Sequence, residues 1–206
     1  LTPQGFHAMI LVAGGKTVFI DPYTHGGGDL EHYIVYNRKD FAATVQKNFN
    51  CGVTDYVEYK NVGHAPNLKS AFGSCELRTY RLALAATGEY TTFHGGTVAG
   101  ALAAQVTSMN RVNGVYEREM AIRMNIVGNN NLIIYTNSGT DPYTNNNGGT
   151  MLGQNQTTCD NIIGSANYDI GHVFSTGGGG VAYLQSVCNN GNKAGGVTGS
   201  GSPVGD

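Results

Sequence analysis

A chain of 206 residues has room for a real hydrophobic core, in one domain of moderate size or in a small unit beside a larger one. Charged residues are only 13% of the chain, about half of the usual share of roughly 25%. The net charge of −2 supplies no basic field for a nucleic-acid partner, and no run approaches the ~18 consecutive apolar residues of a membrane span. The 31 glycines, the frequent Asn, Thr and Tyr, and an even count of four cysteines read as an extracellular protein with room for two disulfides.

The first part of the chain is punctuated by turns. Phe6 to Val12 and Lys16 to Ile20 are two β-rich runs separated by Ala13-Gly14-Gly15, a hairpin signal. Asp21-Pro22-Tyr23 reads as a turn, because proline fixes φ and pushes its predecessor out of the helical region. After Gly26-Gly27-Gly28, His32 to Tyr36 is predicted as a third strand, and Asp40 as the cap of a short helix. Residues 1–54 thus form a small β-rich unit, and residues 55–75 a polar connector. The larger part of the chain, 76–206, follows.

Its pattern is different. Leu77 to Tyr90 is predicted as a long strand, whose apolar centre, Leu82 to Ala86, implies cover on both faces. Thr97 is placed to cap a helix with Val98, Leu102, Val106, Met109 and Val112 on one stripe. Alternation from Met120 to Ile126 predicts a second strand, and Leu132 to Tyr135 a third. A loop from Asn137 to Gly149 leads to a predicted helix, Leu152 to Ile163, which carries the glycosylation sequon Asn155-Gln156-Thr157. Tyr168 to Ser175 and Val181 to Leu184 are predicted strands joined by a tight hairpin at Gly177 to Gly180. The order β-α-β-β-α-β-β argues an α/β (α+β) fold with a mixed sheet and packed helices.

Chemistry-bearing residues are sparse. No two of His7, His25, His32, His64, His94 and His172 lie four apart on a predicted helix, so a two-histidine zinc face is missing. There is no G-x-S-x-G elbow and no C-x-x-C. Cys159 and Cys188 flank the last two predicted strands, where a disulfide would pin the sheet to the preceding helix. Cys51 sits beside a glycine in a connector, either as a ligand or as a disulfide partner of Cys75.

Several stretches together resemble the reprolysin-like (adamalysin-type) metzincin zinc metallopeptidases, in particular secreted bacterial ones. Arg78 to Tyr90 looks like their first strand. Asp169-Ile170-Gly171-His172-Val173-Phe174, then Gly180 to Leu184 and Val187-Cys188, are similar to their fourth and fifth strands with the cysteine that follows. Lys193 to Thr198 is similar to the loop that leads to their active-site helix. Phe19-Ile20-Asp21-Pro22 looks like part of their propeptide, and Cys51-Gly52-Val53-Thr54 like its cysteine switch.

The resemblance implies a metzincin-like mixed, mostly parallel twisted sheet with an antiparallel edge strand and packed helices, preceded by a small β-rich propeptide. It implies a secreted zymogen of a zinc metalloendopeptidase, acting on peptide or protein substrates, with neither a nucleic-acid partner nor a membrane span. In that family a propeptide thiolate blocks the open position of the zinc, a role that falls here on Cys51. The substrate-pairing edge maps onto Ile170, Gly171, His172 and Val173. The H-E-x-x-H-x-x-G-x-x-H helix and the methionine turn are absent, and the zinc ligands are expected beyond Asp206. No catalytic residue is therefore assigned within 1–206, and the chain alone is expected to be inactive, with the remaining C-terminal part of the same protease a possible partner. The alternative reading is a secreted, non-enzymatic binding or adhesion module that keeps the sheet without the active site.

Overall fold

The computed structural model describes residues 2–24, 28–37, 40 and 76–204. The described residues form two sheets. The first is antiparallel, in the order β1-β2-β3, from Ala8–Ile10 (β1), Val18–Pro22 (β2) and Tyr33–Asn37 (β3). The turn at Ala13 to Gly15 joins β1 to β2 as the sequence implies. Asp21 and Pro22, expected in a turn, extend β2 instead, with Asp21 paired to Ile34 and Pro22 to Tyr33. A proline is tolerated at a strand end, where no ladder donor is lost. The residues that follow Asp40 in the predicted helix and the whole of the 55–75 connector fall outside the described residues.

The second sheet is built from Arg78–Ala86 (β4), Ile122–Ile126 (β5), Ile170–Ser175 (β6), Gly179–Ala182 (β7) and Gly196–Gly199 (β8). Its order is β5-β4-β6-β8-β7, parallel throughout except for β7 against β8. Helices cover both faces. The helix Val98–Met120 (α2) follows the short helix Gly88–Phe93 (α1), and its Met109 and Val112 pack on Leu82, Leu84, Met124 and Ile170. The helix Gly148–Cys159 (α3) covers the other face, where Met151, Leu152 and Cys159 join Ala83, Ala85, Val173 and Val197. Both faces of β4 are thus dry, as its unbroken apolar centre requires; Leu82 and Leu84 together with Ala83, Ala85 and Ala86 are all at most 2% exposed.

Three predicted elements take a different form. The strand predicted through Tyr90 stops at Ala86, because Thr87 turns to cap α1 and accepts a hydrogen bond from Tyr90 N at 3.3 Å. Gly88 fits against the backbone of Asn137 and Ser138, where a Cβ would come within 2.2 Å of Ser138 N. The predicted strand Leu132 to Tyr135 is a 3-10 turn, Asn130–Ile133, with one bridge from Ile134 to Ala86. The predicted helix Leu152 to Ile163 begins earlier, capped by Asn147, and changes at Asp160 into a wider π turn that ends at Gly164.

The 3-10 turn has a structural reason. β5 accompanies β4 only as far as Leu82, so Leu84 has no strand partner on that side. The Asn130 side chain fills the gap: its Oδ1 accepts from Leu84 N at 2.7 Å, and its Nδ2 donates to Leu84 O at 2.8 Å. Gln105 of α2 completes the arrangement, donating to Leu84 O at 2.8 Å and accepting from Asn130 at 3.1 Å. All three residues are buried. Asn130→Ala leaves buried backbone groups unpaired, so it is expected to cost about 1–3 kcal/mol of stability. Chemical denaturation of the variant measures that loss; a change within a few tenths of a kcal/mol would mean that water replaces the amide.

The antiparallel sheet rests on the outer side of α2. Asp21 gathers His7 Nδ1 at 2.7 Å, Tyr36 OH at 2.7 Å and the Arg111 guanidinium at 2.6 Å. Burial pulls the Asp21 pKa up, but the hydrogen bonds from His7, Arg111 and Tyr36 outweigh it and hold the carboxyl below its ordinary value.

Candidate functional site

The resemblance places the substrate-pairing edge at Ile170, Gly171, His172 and Val173, and the structure corrects this placement. β6 is an interior strand. It pairs with β4 through Leu82 to Ala86 on one side and with β8 on the other, and Gly171 N also donates to Lys193 O at 2.8 Å. The tight hairpin expected at Gly177 to Gly180 is overturned for the same reason, since β8 lies between β6 and β7. The 193–198 stretch, expected as a loop, supplies that inserted strand. Glycine makes the insertion possible. A Cβ on Gly171 would stand 2.4 Å from Ala194 Cβ, and one on Gly196 would stand 2.5 Å from His172 Nδ1. Glycine-rich composition reads locally as loop, so the one available signal was the number of glycines in the segments that approach each other.

The antiparallel edge of the second sheet is β7. Tyr183 N donates to Gly195 O at 2.9 Å, which identifies 183 and 195 as a hydrogen-bonded pair. Pairs alternate along an antiparallel ladder. Val181 with Val197 and Gly179 with Gly199 therefore also face each other through hydrogen bonds, while Gly180 and Ala182 turn N–H and C=O away from β8. Among the described residues no strand pairs with that side. Gly180 and Ala182 carry little or no side chain, and Ala182 is exposed. Beyond them Tyr183 lies over Gly195, and Tyr183, Leu184 and Val187 are exposed. Chemically, this edge can donate to and accept from an extended peptide backbone.

His172 stands two strands inward from that edge. Its neighbours Ile170 and Phe174 pack among α2 residues, so by strand alternation His172 points to the same face. Its Nε2 meets Thr198 Oγ1 of β8 at 2.8 Å, and its ring stands edge-on to Phe174 with centroids 5.7 Å apart. Part of its surface stays open. Burial nonetheless disfavours the imidazolium and lowers the pKa to about 4. The ordinary value is 6.5, so between these values the unfolded chain holds a proton that the folded chain does not. Stability from this group is complete above pH 6.5 and declines as pH falls toward 4. An NMR titration is expected to give a His172 midpoint near 4, and His172→Gln to flatten that part of the pH–stability curve. A midpoint near 6.5 would show a solvated ring.

Asp169, just before β6, holds that strand to β4. Its Oδ1 accepts from Arg81 NH2 at 2.7 Å, and its Oδ2 from Arg81 N at 2.8 Å and Nε at 3.1 Å. The hydrogen bond from Arg81 keeps the Asp169 carboxyl below its ordinary pKa. A second polar group escaped sequence reasoning altogether: Lys193 is 4% exposed, with its ammonium 4.3 Å from the Tyr168 ring centroid and donating to Asn190 Oδ1 at 2.9 Å and to Ser165 O. It ties the turn before β8 to the segment that follows α3. The sequon asparagine, Asn155, is wholly buried, accepting from Tyr143 OH at 2.9 Å and donating to Ala194 O at 2.7 Å. A glycan has no room there in the folded chain.

The expected disulfide between Cys159 and Cys188 is not formed; both thiols are free. Cys159 points into the core at the end of α3, with Sγ 3.7 Å from Asn155 Oδ1, whereas Cys188 is exposed in the loop beyond β7. Burial pushes the Cys159 thiol up to about 12. A thiol reagent followed by peptide mapping is expected to label Cys188 in the native protein and to reach Cys159 only after unfolding. Equal labelling, or protection of both as a disulfide, would contradict this arrangement. Cys51 and Cys75 lie outside the described residues.

A mostly parallel sheet that ends in one antiparallel strand, with helices on both faces, is the architecture implied for a metzincin-like domain. The family model described as Metallo-peptidase family M12B Reprolysin-like matches residues 102–206, from α2 through β8. The chain belongs to this family. No curated protein matches it. Counted within the second sheet, β6 is the third strand and β7 the fourth.

A peptidase of this family implies a protein or peptide substrate and, as a rule, zinc. The described residues do not fit that metal. No three His, Cys, Asp or Glu side chains among them come together as ligands, and the Nε2 of His172 is already committed to Thr198. None of the described helices is long and apolar enough to cross a membrane.

Proposed function

We propose that this chain supplies the core sheet and the substrate-holding edge of a secreted zinc metalloendopeptidase, and that β7 pairs with the extended backbone of the peptide to be cut. The observation that carries the reading is the outward set of Gly180 and Ala182 backbone groups on an antiparallel edge in a chain of this family. Such an edge holds a peptide through its main chain with little regard to side-chain identity, which suits a protease. Because the described residues hold no metal set, they are assigned binding and orientation of the peptide and no step of bond cleavage. The likeness of Cys51-Gly52-Val53-Thr54 to a cysteine switch supports synthesis in a latent form, with Cys51 as the inhibitory thiol. The composition, poor in charge and rich in glycine, supports secretion.

The full-length protein is expected to hydrolyse a quenched peptide substrate, with activity abolished by a zinc chelator. Hydrolysis that persists in chelator, or none after removal of residues 1–75, would count against the reading. Ala182→Pro tests the edge itself, because proline is accommodated on an edge strand whose N–H faces outward. One lost backbone hydrogen bond is worth about 0.5–1.5 kcal/mol, so kcat/KM is expected to fall roughly two- to thirteenfold with thermal stability nearly unchanged. An unaltered kcat/KM would place the substrate elsewhere.

A further inference from the structure

The antiparallel sheet is attached to the rest of the molecule in an unusual way. Helix α2 lies between two sheets, and its two sides differ in chemistry. The inner side carries Leu102, Met109 and Val112 and packs into the hydrophobic clusters of the larger sheet. The outer side presents Gly100, Thr107, Asn110, Arg111 and Gly114 to the β1–β3 sheet. None of the three hydrophobic clusters includes a residue of β1, β2 or β3.

What joins the two bodies, among the described residues, is centred on Asp21. This carboxylate takes hydrogen bonds from β3 (Tyr36) and from the residue before β1 (His7), and an ion pair from α2 (Arg111). Phe19, two residues before Asp21, lies 4.9 Å beneath the Arg111 guanidinium carbon and stacks on Tyr36 with centroids 5.5 Å apart. Around this centre the contacts are thin: Gln4 donates to Gly100 O at 3.3 Å, and the Met9 side chain reaches the open surface of Gly114. An open cleft of about 160 Å³ remains between sheet and helix, lined by Thr2, His7, Met9, Thr107 and Asn110 with Arg111. A joint of this kind resembles a polar inter-domain contact more than the interior of one domain.

We propose that the outer face of α2 is a separable docking surface for the β1–β3 sheet, keyed by the Asp21 carboxylate, so that this sheet can lift away while the α/β sandwich keeps its fold. The side chains it uncovers, Thr107, Asn110 and Arg111, are polar and tolerate water. None of the three hydrophobic clusters therefore loses a member when the sheet departs. The attachment is governed by one partly buried charge cluster, and removing one member of such a cluster leaves the other uncompensated.

Hydrogen–deuterium exchange on the intact chain tests this by comparing the native protein with Asp21→Asn and with Arg111→Met. Loss of one partner of a partly buried pair is expected to speed exchange of the amides of Ala8–Ile10, Val18–Pro22 and Tyr33–Asn37 by about tenfold or more. Amides of Arg78–Ala86 and Ile170–Ser175 are expected to keep their native protection in both variants. If those core amides accelerate to the same degree, sheet and sandwich form one cooperative unit and the proposal fails. It fails equally if the amides of β1 to β3 exchange at the native rate in both variants.

Discussion

One side-chain amide carries more of this architecture than its size suggests. A parallel strand buried on both faces must have every backbone group paired, and β4 loses its neighbour β5 after Leu82. Asn130 supplies the missing donor and acceptor at Leu84, and Gln105 ties the same carbonyl to α2. The pairing is resumed at Ala86 by Ile134 and Tyr135. Without that amide the second half of β4 would present unpaired groups in the dry interior, and the strand could not carry α2 on one face and α3 on the other. A polar network in such a place is costly when incomplete and specific when complete.

The order of the strands follows from close approach. β8 reaches its place between β6 and β7 because glycine stands at two close approaches of the inserted segment, at Gly171 against Ala194 and at Gly196 against the His172 ring. Insertion turns β6 into an interior strand and leaves β7 as the antiparallel edge. The same event fixes His172, whose ring settles between Phe174 and Gly196 and bonds to Thr198. Position in the sheet, more than residue type, thus separates the strand that can hold a peptide from the strand that cannot.

Helix α2 has a double task that its pattern reveals only in part. Its apolar stripe marks the side that packs on the larger sheet, while Arg111, 8% exposed on its side chain, sits on the side that receives β1 to β3. Sequence reasoning passed over Arg111, because its partner Asp21 lies 90 residues away. Asn155 was misread as a glycosylation site for the same reason, since its partners Tyr143 and Ala194 come from separate segments.

The amino-acid sequence by itself determined the family resemblance, the mixed α/β class, and the existence of β1, β2, β3, β4, α2, β5 and β6, because periodicity, capping threonine and apolar runs are local signals. It also marked the stretch that became β7. Only the tertiary structure decided that β8 exists, that it separates β6 from β7, that Asn130 acts as a strand residue, and that Cys159 is sealed in the core away from Cys188. Each of these depends on two segments distant in sequence meeting at a few ångströms. Local propensity carries no information about which segments will meet, and glycine and asparagine, the residues that made these contacts possible, are those that propensity assigns to loops.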